Sequence, residues 1–134
     1  GAPLNHDFCV ISLSDLLTPW ELIERRLRAA AEGDFAMAIY NPSSHRRKDY
    51  LKRACEILLE KIEKERPCGY VENIGREGTR AVTCTLEELL NSEVNMFTTV
   101  FIGNSQSVIM DGKLVTKRGY EIERDSAVCR DNGR

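Results

Sequence analysis

FCVISLSDLLTPWELIERRLRAAAEGDFAMAIYNP, from Phe8 to Pro42, changes its apolar period twice, and the architecture can be read outward from those two changes. Phe8 to Leu13 is a short apolar run between polar residues and predicts a strand. In Thr18-Pro19-Trp20-Glu21, Thr18 is placed to cap, Pro19 suits a first helical position, and Glu21 stands three residues after Thr18 as a capping box requires. Trp20, Ile23, Leu27 and Ala30 then share one helical face, with Gly33 as terminator. The second change comes at Phe35 to Tyr40, which predicts another strand, broken by Asn41-Pro42-Ser43-Ser44.

Downstream, Leu51, Ala54, Cys55, Leu58 and Ile62 predict an amphipathic helix from about Arg47 to Glu65, ended by Pro67. Gly69 to Ile74 and Arg80 to Cys84 predict strands on either side of Gly75-Arg76-Glu77-Gly78. Thr85-Leu86-Glu87-Glu88 is a second capping-box pattern, for a short helix to about Asn91. Met96 to Ile102 is rich in aromatic and β-branched residues and predicts a buried strand. Asp111-Gly112, between Ser107 to Met110 and Lys113 to Thr116, is a hairpin signature. Strands alternating with helices argue for an α/β layered domain: a mixed β-sheet flanked by helices, partly parallel with an antiparallel edge, ending in a β-hairpin. Glu121 to Arg134 is polar and aperiodic and reads as a tail.

The 134 residues suit one domain, and 42% hydrophobic residues are enough for a core. Lys and Arg number 19 against 21 Asp and Glu, so the formal charge of -2 builds in no general attraction to nucleic acid or anionic membrane. No apolar stretch approaches the roughly 20 residues of a membrane-spanning helix. The five cysteines include no CxxC and no close Cys/His pairing, which argues against a metal site or disulfide scaffold and for core thiols in a reducing cytosol. A cytoplasmic protein is therefore expected. The chain opens Gly1-Ala2-Pro3-Leu4 without Met or an export signal, as a segment of a larger protein would.

In open α/β sheets ligands sit beyond the carboxyl ends of strands, which singles out three loops. Tyr40-Asn41-Pro42 combines a rigid backbone with an amide that both donates and accepts. Asn73-Ile74-Gly75-Arg76-Glu77-Gly78 offers close backbone approach and an Arg able to hold a carboxylate, but matches no phosphate fingerprint. Gly103-Asn104-Ser105-Gln106 follows a buried strand with small and amide-bearing residues. A plain polar turn explains each of the three as well. His45-Arg46-Arg47-Lys48 reads as a solvated or salt-bridging run, and His6-Asp7 as an acid/base pair or a structural His. Two histidines assemble no hydrolytic triad.

Taken in order, Gly1-Ala2-Pro3-Leu4 with His6-Asp7-Phe8, Ile11 through Trp20, Tyr40 through Ser44, Asn73 through Gly78, and Met96 through Gln106 resemble the precorrin-3B C-17-methyltransferase family, from Gly1 to about Tyr120. The resemblance implies the C-terminal domain (residues 1–120, with 1–7 the end of an interdomain connection) of a two-domain class III tetrapyrrole methyltransferase. Residues 121–134 are its polar tail. S-adenosyl-L-methionine would bind between this domain and a missing N-terminal one, in a protein expected to form homodimers. The implied chemistry is methylation at C-17 of precorrin-3B or cobalt-precorrin-3, with ring contraction, in cobalamin (porphyrin-type) biosynthesis. Methylation at another corrin position and a non-catalytic tetrapyrrole-binding module are the alternatives. Cofactor contacts carry over to Tyr40, Asn41, Pro42, Asn73, Gly75, Arg76, Gly103, Asn104 and Ser105, with Asn41 standing where uroporphyrinogen methyltransferases have Met. His6, Asp7 and Arg76 are the acid/base candidates, Arg46, Arg47 and Arg76 the carboxylate holders, and no resident metal is implied.

Overall fold

A computed structural model describes residues 3–4, 7–43, 49–73 and 77–117. The elements run β1 (Phe8–Ser12), α1 (Trp20–Glu32), β2 (Ala36–Tyr40), α2 (Tyr50–Leu58), β3 (Pro67–Glu72), β4 (Arg80–Thr85), α3 (Leu86–Leu90), β5 (Thr98–Ile102), β6 (Ser107–Met110) and β7 (Lys113–Thr116). A five-stranded sheet has the order β1-β2-β5-β3-β4, and β6 pairs with β7 apart from it.

The sheet is mixed, as expected, but the proportions differ. Only β1 and β2 run parallel, at one edge; β5 is antiparallel to both β2 and β3, and β3 to β4. One face carries the core. Ile23 and Leu27 of α1, Leu51 and Leu58 of α2, and Leu86 and Leu89 of α3 pack with Ile11, Met37, Ile39, Val100 and Ile102. The period-2 alternation of the strands selects these residues, since Val100 and Ile102 point one way and Thr99 and Phe101 the other. The hairpin contacts β3, and its Leu114 is buried. Its turn is Asp111-Gly112, both with positive φ (52° and 72°), the type I′ geometry that matches strand twist.

Two local expectations changed and a third held. Helix α1 begins at Trp20, because Pro19 (φ -59°, ψ 142°) is the extended cap residue and its carbonyl accepts from both Leu22 and Ile23. Glu21 thereby falls one position short of the reach-back site, and the Thr18 capping box does not form. Helix α2 is nine residues rather than the predicted span to Glu65. After Leu58 the bonds tighten to Glu60 N–Ile57 O and Lys61 N–Leu58 O, and Ile62 still reaches the core from this turn. The Thr85 box does form. Thr85 Oγ1 accepts from Glu88 N at 3.1 Å while Glu88 Oε1 accepts from Thr85 N at 2.9 Å.

Cys55, Cys68 and Cys84 are free and buried, and Cys9 is half-buried. Burial pushes the Cys55 thiol up to about 12, with lesser contributions from Cys84 and Glu56, and that of Cys84 up to about 11, assisted by Glu88. Cys68 is raised in the same way. Thiolate is the reactive form, so iodoacetamide at pH 8 should leave these three unmodified in the folded chain and label them only in urea. Mass-mapped labelling of any of them under native conditions would contradict the packing.

Candidate functional site

Strand direction brings several loops to one edge of the sheet. Ser12 pairs with Tyr40 in the parallel register, and Glu72 pairs with both Thr98 and Arg80. The carboxyl ends of β1, β2 and β3 therefore lie together with the starts of β4 and β5.

Two turns dominate this edge. Asn41 and Asn73 directly follow β2 and β3, and both are left-handed, with φ of 55° and 59°. Asn tolerates this region because its short amide makes local hydrogen bonds, and non-Gly residues held there concentrate at functional sites. Asn41 Nδ2 donates to Ser12 Oγ at 3.0 Å, and that hydroxyl also accepts from Ser14 N at 3.2 Å. Leu13 N donates to Tyr40 O, which continues the β1–β2 ladder one step into the loop. Asn73 N donates to Phe97 O at 3.0 Å, and Asn73 O accepts from Thr79 Oγ1 at 3.0 Å. Pro42 is fully buried and anchors the first turn, whereas Tyr40 stays 44% exposed.

Apolar surface gathers here as well. Leu16 and Leu17, in the loop after β1, are 83% and 98% exposed, and Met96 and Phe97 before β5 are also exposed. Arg80, at this edge, holds its proton more tightly than usual through Tyr70 Oη at 3.3 Å and the Glu72 carboxylate at 3.6 Å.

The third loop lies elsewhere. Gly103, Asn104 and Ser105 follow the carboxyl end of β5, which is antiparallel, and so stand at the opposite edge, next to Asp34 and Pro67. The five residues of β2 separate the two edges by roughly 15 Å at about 3.3 Å per residue. These residues build a self-contained turn. Asn104 N donates to Ser107 Oγ, Gln106 N to Asn104 Oδ1, and Ser105 N to Asp34 Oδ1 at 2.9 Å. Arg66, only 11% exposed, locks it by donating to Gly103 O while pairing with Glu63. Asp7, exposed just before β1, belongs to this opposite edge too. His6, Gly75, Arg76 and the run His45 to Lys48 lie outside the described residues.

The structure thus unites Tyr40, Asn41, Pro42 and Asn73 and sets Gly103, Asn104, Ser105 and Asp7 apart from them. It adds residues that the loop-by-loop reading passed over: Ser12, Asp15, and the trio Trp20, Tyr50 and Arg53. Ser12 is the last residue of β1 and Asp15 stands in the loop that follows, where the carboxyl-edge rule applies equally. Among the described residues no group of His, Cys, Asp and Glu is arranged to hold a metal. No helix among them is long and apolar enough to cross a membrane. Its described residues offer hydrogen-bonding turns and exposed apolar side chains, an arrangement for binding and orienting a ligand that brings its own reactive group.

Residues 1–90 match the family Tetrapyrrole (Corrin/Porphyrin) Methylases. The chain belongs to the tetrapyrrole methylase family. It is 47% identical over 121 residues to the cobalt-factor III methyltransferase of Priestia megaterium, covering 90% of this chain and 22% of that protein. It is 43% identical over 122 residues to the probable cobalt-factor III C(17)-methyltransferase of Salmonella typhimurium, covering 91% of this chain and 51% of that one. Among solved structures, that of the methyltransferase CobJ superposes with a TM-score of 0.78 at 39% identity, over 87% of this chain and 49% of that chain. This tetrapyrrole methylase chain thus spans from about a fifth to about half of the length of these relatives.

Proposed function

We propose that this chain forms one wall of an S-adenosyl-L-methionine-dependent methyltransferase that acts at C-17 of a precorrin-3B or cobalt-precorrin-3 type ring, with ring contraction, in cobalamin biosynthesis. The observation that carries the reading is the placing of the Asn41 and Asn73 turns at the same sheet edge, on either side of β5, in a chain so similar to a C(17)-methyltransferase. S-adenosyl-L-methionine supplies a methyl group already activated as a sulfonium. What remains for the protein is to bring a ring carbon into line with it and to exclude water, which proximity and closure achieve without a nucleophile.

The residues fit such a cofactor. Exposed Tyr40 offers a ring face, and the Asn41 and Asn73 turns offer polar groups for a heterocycle. The exposed Leu16, Leu17, Met96 and Phe97 suit the apolar face of a macrocycle or of the domain that closes the cleft. The missing N-terminal domain supplies the second wall, a second copy completes a homodimer, and the assembly works in the cytoplasm.

Titration of S-adenosylhomocysteine by calorimetry tests this. Binding is expected when this chain is combined with the N-terminal half of the enzyme and not with the chain alone. No heat from the combined, folded protein would count against the reading and favour a non-catalytic tetrapyrrole-binding module. Product analysis of the full-length enzyme then distinguishes methylation at C-17 from methylation at another corrin position.

A further inference from the structure

The loops of the carboxyl edge lead into two helices whose first residues are aromatic. Trp20 opens α1 and Tyr50 opens α2, and their rings stack with centroids 5.3 Å apart at 19°. The Tyr50 hydroxyl hydrogen-bonds Asp15 in the β1–α1 loop, so the stack is tied to the same loop as Ser12, the partner of Asn41. Arg53, almost one turn into α2, lays its guanidinium over the indole, 4.4 Å from the ring centroid.

Two features of this cluster are unexplained by the fold. Arg28, Lys61, Arg66 and Arg80 all pair with carboxylates, whereas Arg53 is half-buried and has no carboxylate partner among the described residues. Next to it, Trp20 Nε1 is a buried donor without a hydrogen-bond partner among them. Buried donors are almost always satisfied, so a donor and a guanidinium that both lack an acceptor among the described residues call for one. Stacking also pre-organises the planar fork of Arg53, which lowers the ordering cost of a bidentate contact.

We propose that Arg53 and Trp20 form a carboxylate-binding site at this edge, which takes a peripheral acid side chain of the tetrapyrrole. The guanidinium is the principal donor. The indole is its platform and gives its N–H to the same carboxylate when the fork turns from stacking to pairing. The assignment rests on the reading of this edge as a tetrapyrrole site. It adds a contact that grips the substrate's periphery rather than the cofactor.

The test uses this chain combined with the N-terminal half, with uroporphyrin III, an octacarboxylate, as the probe. Affinity is read by porphyrin absorbance and by emission of Trp20, the one tryptophan of this chain. R53Q is expected to weaken uroporphyrin at least tenfold while S-adenosylhomocysteine affinity and melting temperature stay unchanged. R53K should recover part of the loss, because an ammonium keeps the charge but not the fork. W20F keeps an aromatic platform without the N–H and should cost several-fold. Uroporphyrin affinity within twofold of wild type in R53Q would overturn the site, as would parallel loss of porphyrin and S-adenosylhomocysteine binding, which marks Arg53 as structural. Failure of the unsubstituted protein to bind S-adenosylhomocysteine would instead sink the underlying functional reading.

Discussion

Gly103→Val is expected to cost about 3 kcal/mol of stability, the upper range for forcing volume into packed structure, as measured by urea denaturation. A Cβ at this position would lie 2.4 Å from Ser107 Cβ and 2.7 Å from Pro67 O. Neither neighbour can withdraw. Pro67 O accepts the Gly103 N–H at 2.9 Å, and Ser107 Oγ is held by Thr116 Oγ1 at 2.6 Å and by Asn104 N at 2.9 Å. Thr116 Oγ1 in turn donates to Pro3 O at 2.5 Å, so the clash would spread to the hairpin and to the segment before β1. Gly78→Ala is the control. Its φ of +81° strains any side chain, but among the described residues a Cβ would meet only Asn73 Nδ2, at 3.8 Å, and the expected cost is about 1 kcal/mol. Equal midpoints for Gly103→Val and wild type would refute the close approach.

Asn41→Val in the combined, two-half protein should lower S-adenosylhomocysteine affinity roughly tenfold or more, equivalent to about 1.4 kcal/mol. Two effects add in this variant. A β-branched residue at φ 55° is driven out of the left-handed region, which moves the turn, and the amide bond to Ser12 Oγ is lost. Asn41→Gly separates them, since glycine keeps the backbone conformation and loses only the amide. Gly close to wild type with Val impaired would assign the role to the backbone of the turn. Equal, full affinity in both variants would remove Asn41 from the cofactor wall.

Much of this is legible in the sequence alone. The strand, helix and strand from Phe8 to Tyr40, the Thr85 capping box and the Asp111-Gly112 hairpin rest on interactions a few residues apart. Local errors arose where two local signals competed. Thr18 and Pro19 both suit the start of α1, and the extended ψ of Pro19 settled the choice. The helical spacing of Leu51 to Ile62 is met equally by α2 plus a turn, because Ile62 needs only to face the core.

The candidate site divides along the same line. The sequence by itself determined which segments are strands, which residues face the core and which loops carry Asn, Gly and Pro, since these follow from periodicity and turn chemistry. Tertiary structure alone decided which loops meet. Tyr40-Asn41-Pro42, Asn73 and Gly103-Asn104-Ser105 each follow a strand, and the carboxyl-edge rule treats them alike when every strand runs the same way. Strand β5 enters between β2 and β3 antiparallel to both, which carries Gly103, Asn104 and Ser105 to the far edge. Direction of insertion is a property of long-range pairing, in which the backbone bonds of either orientation are nearly equivalent and the packing of the whole layer selects one. The meeting of Trp20, Tyr50 and Arg53 has the same origin, because side chains some 30 positions apart touch only once α1 and α2 lie side by side on one face of the sheet.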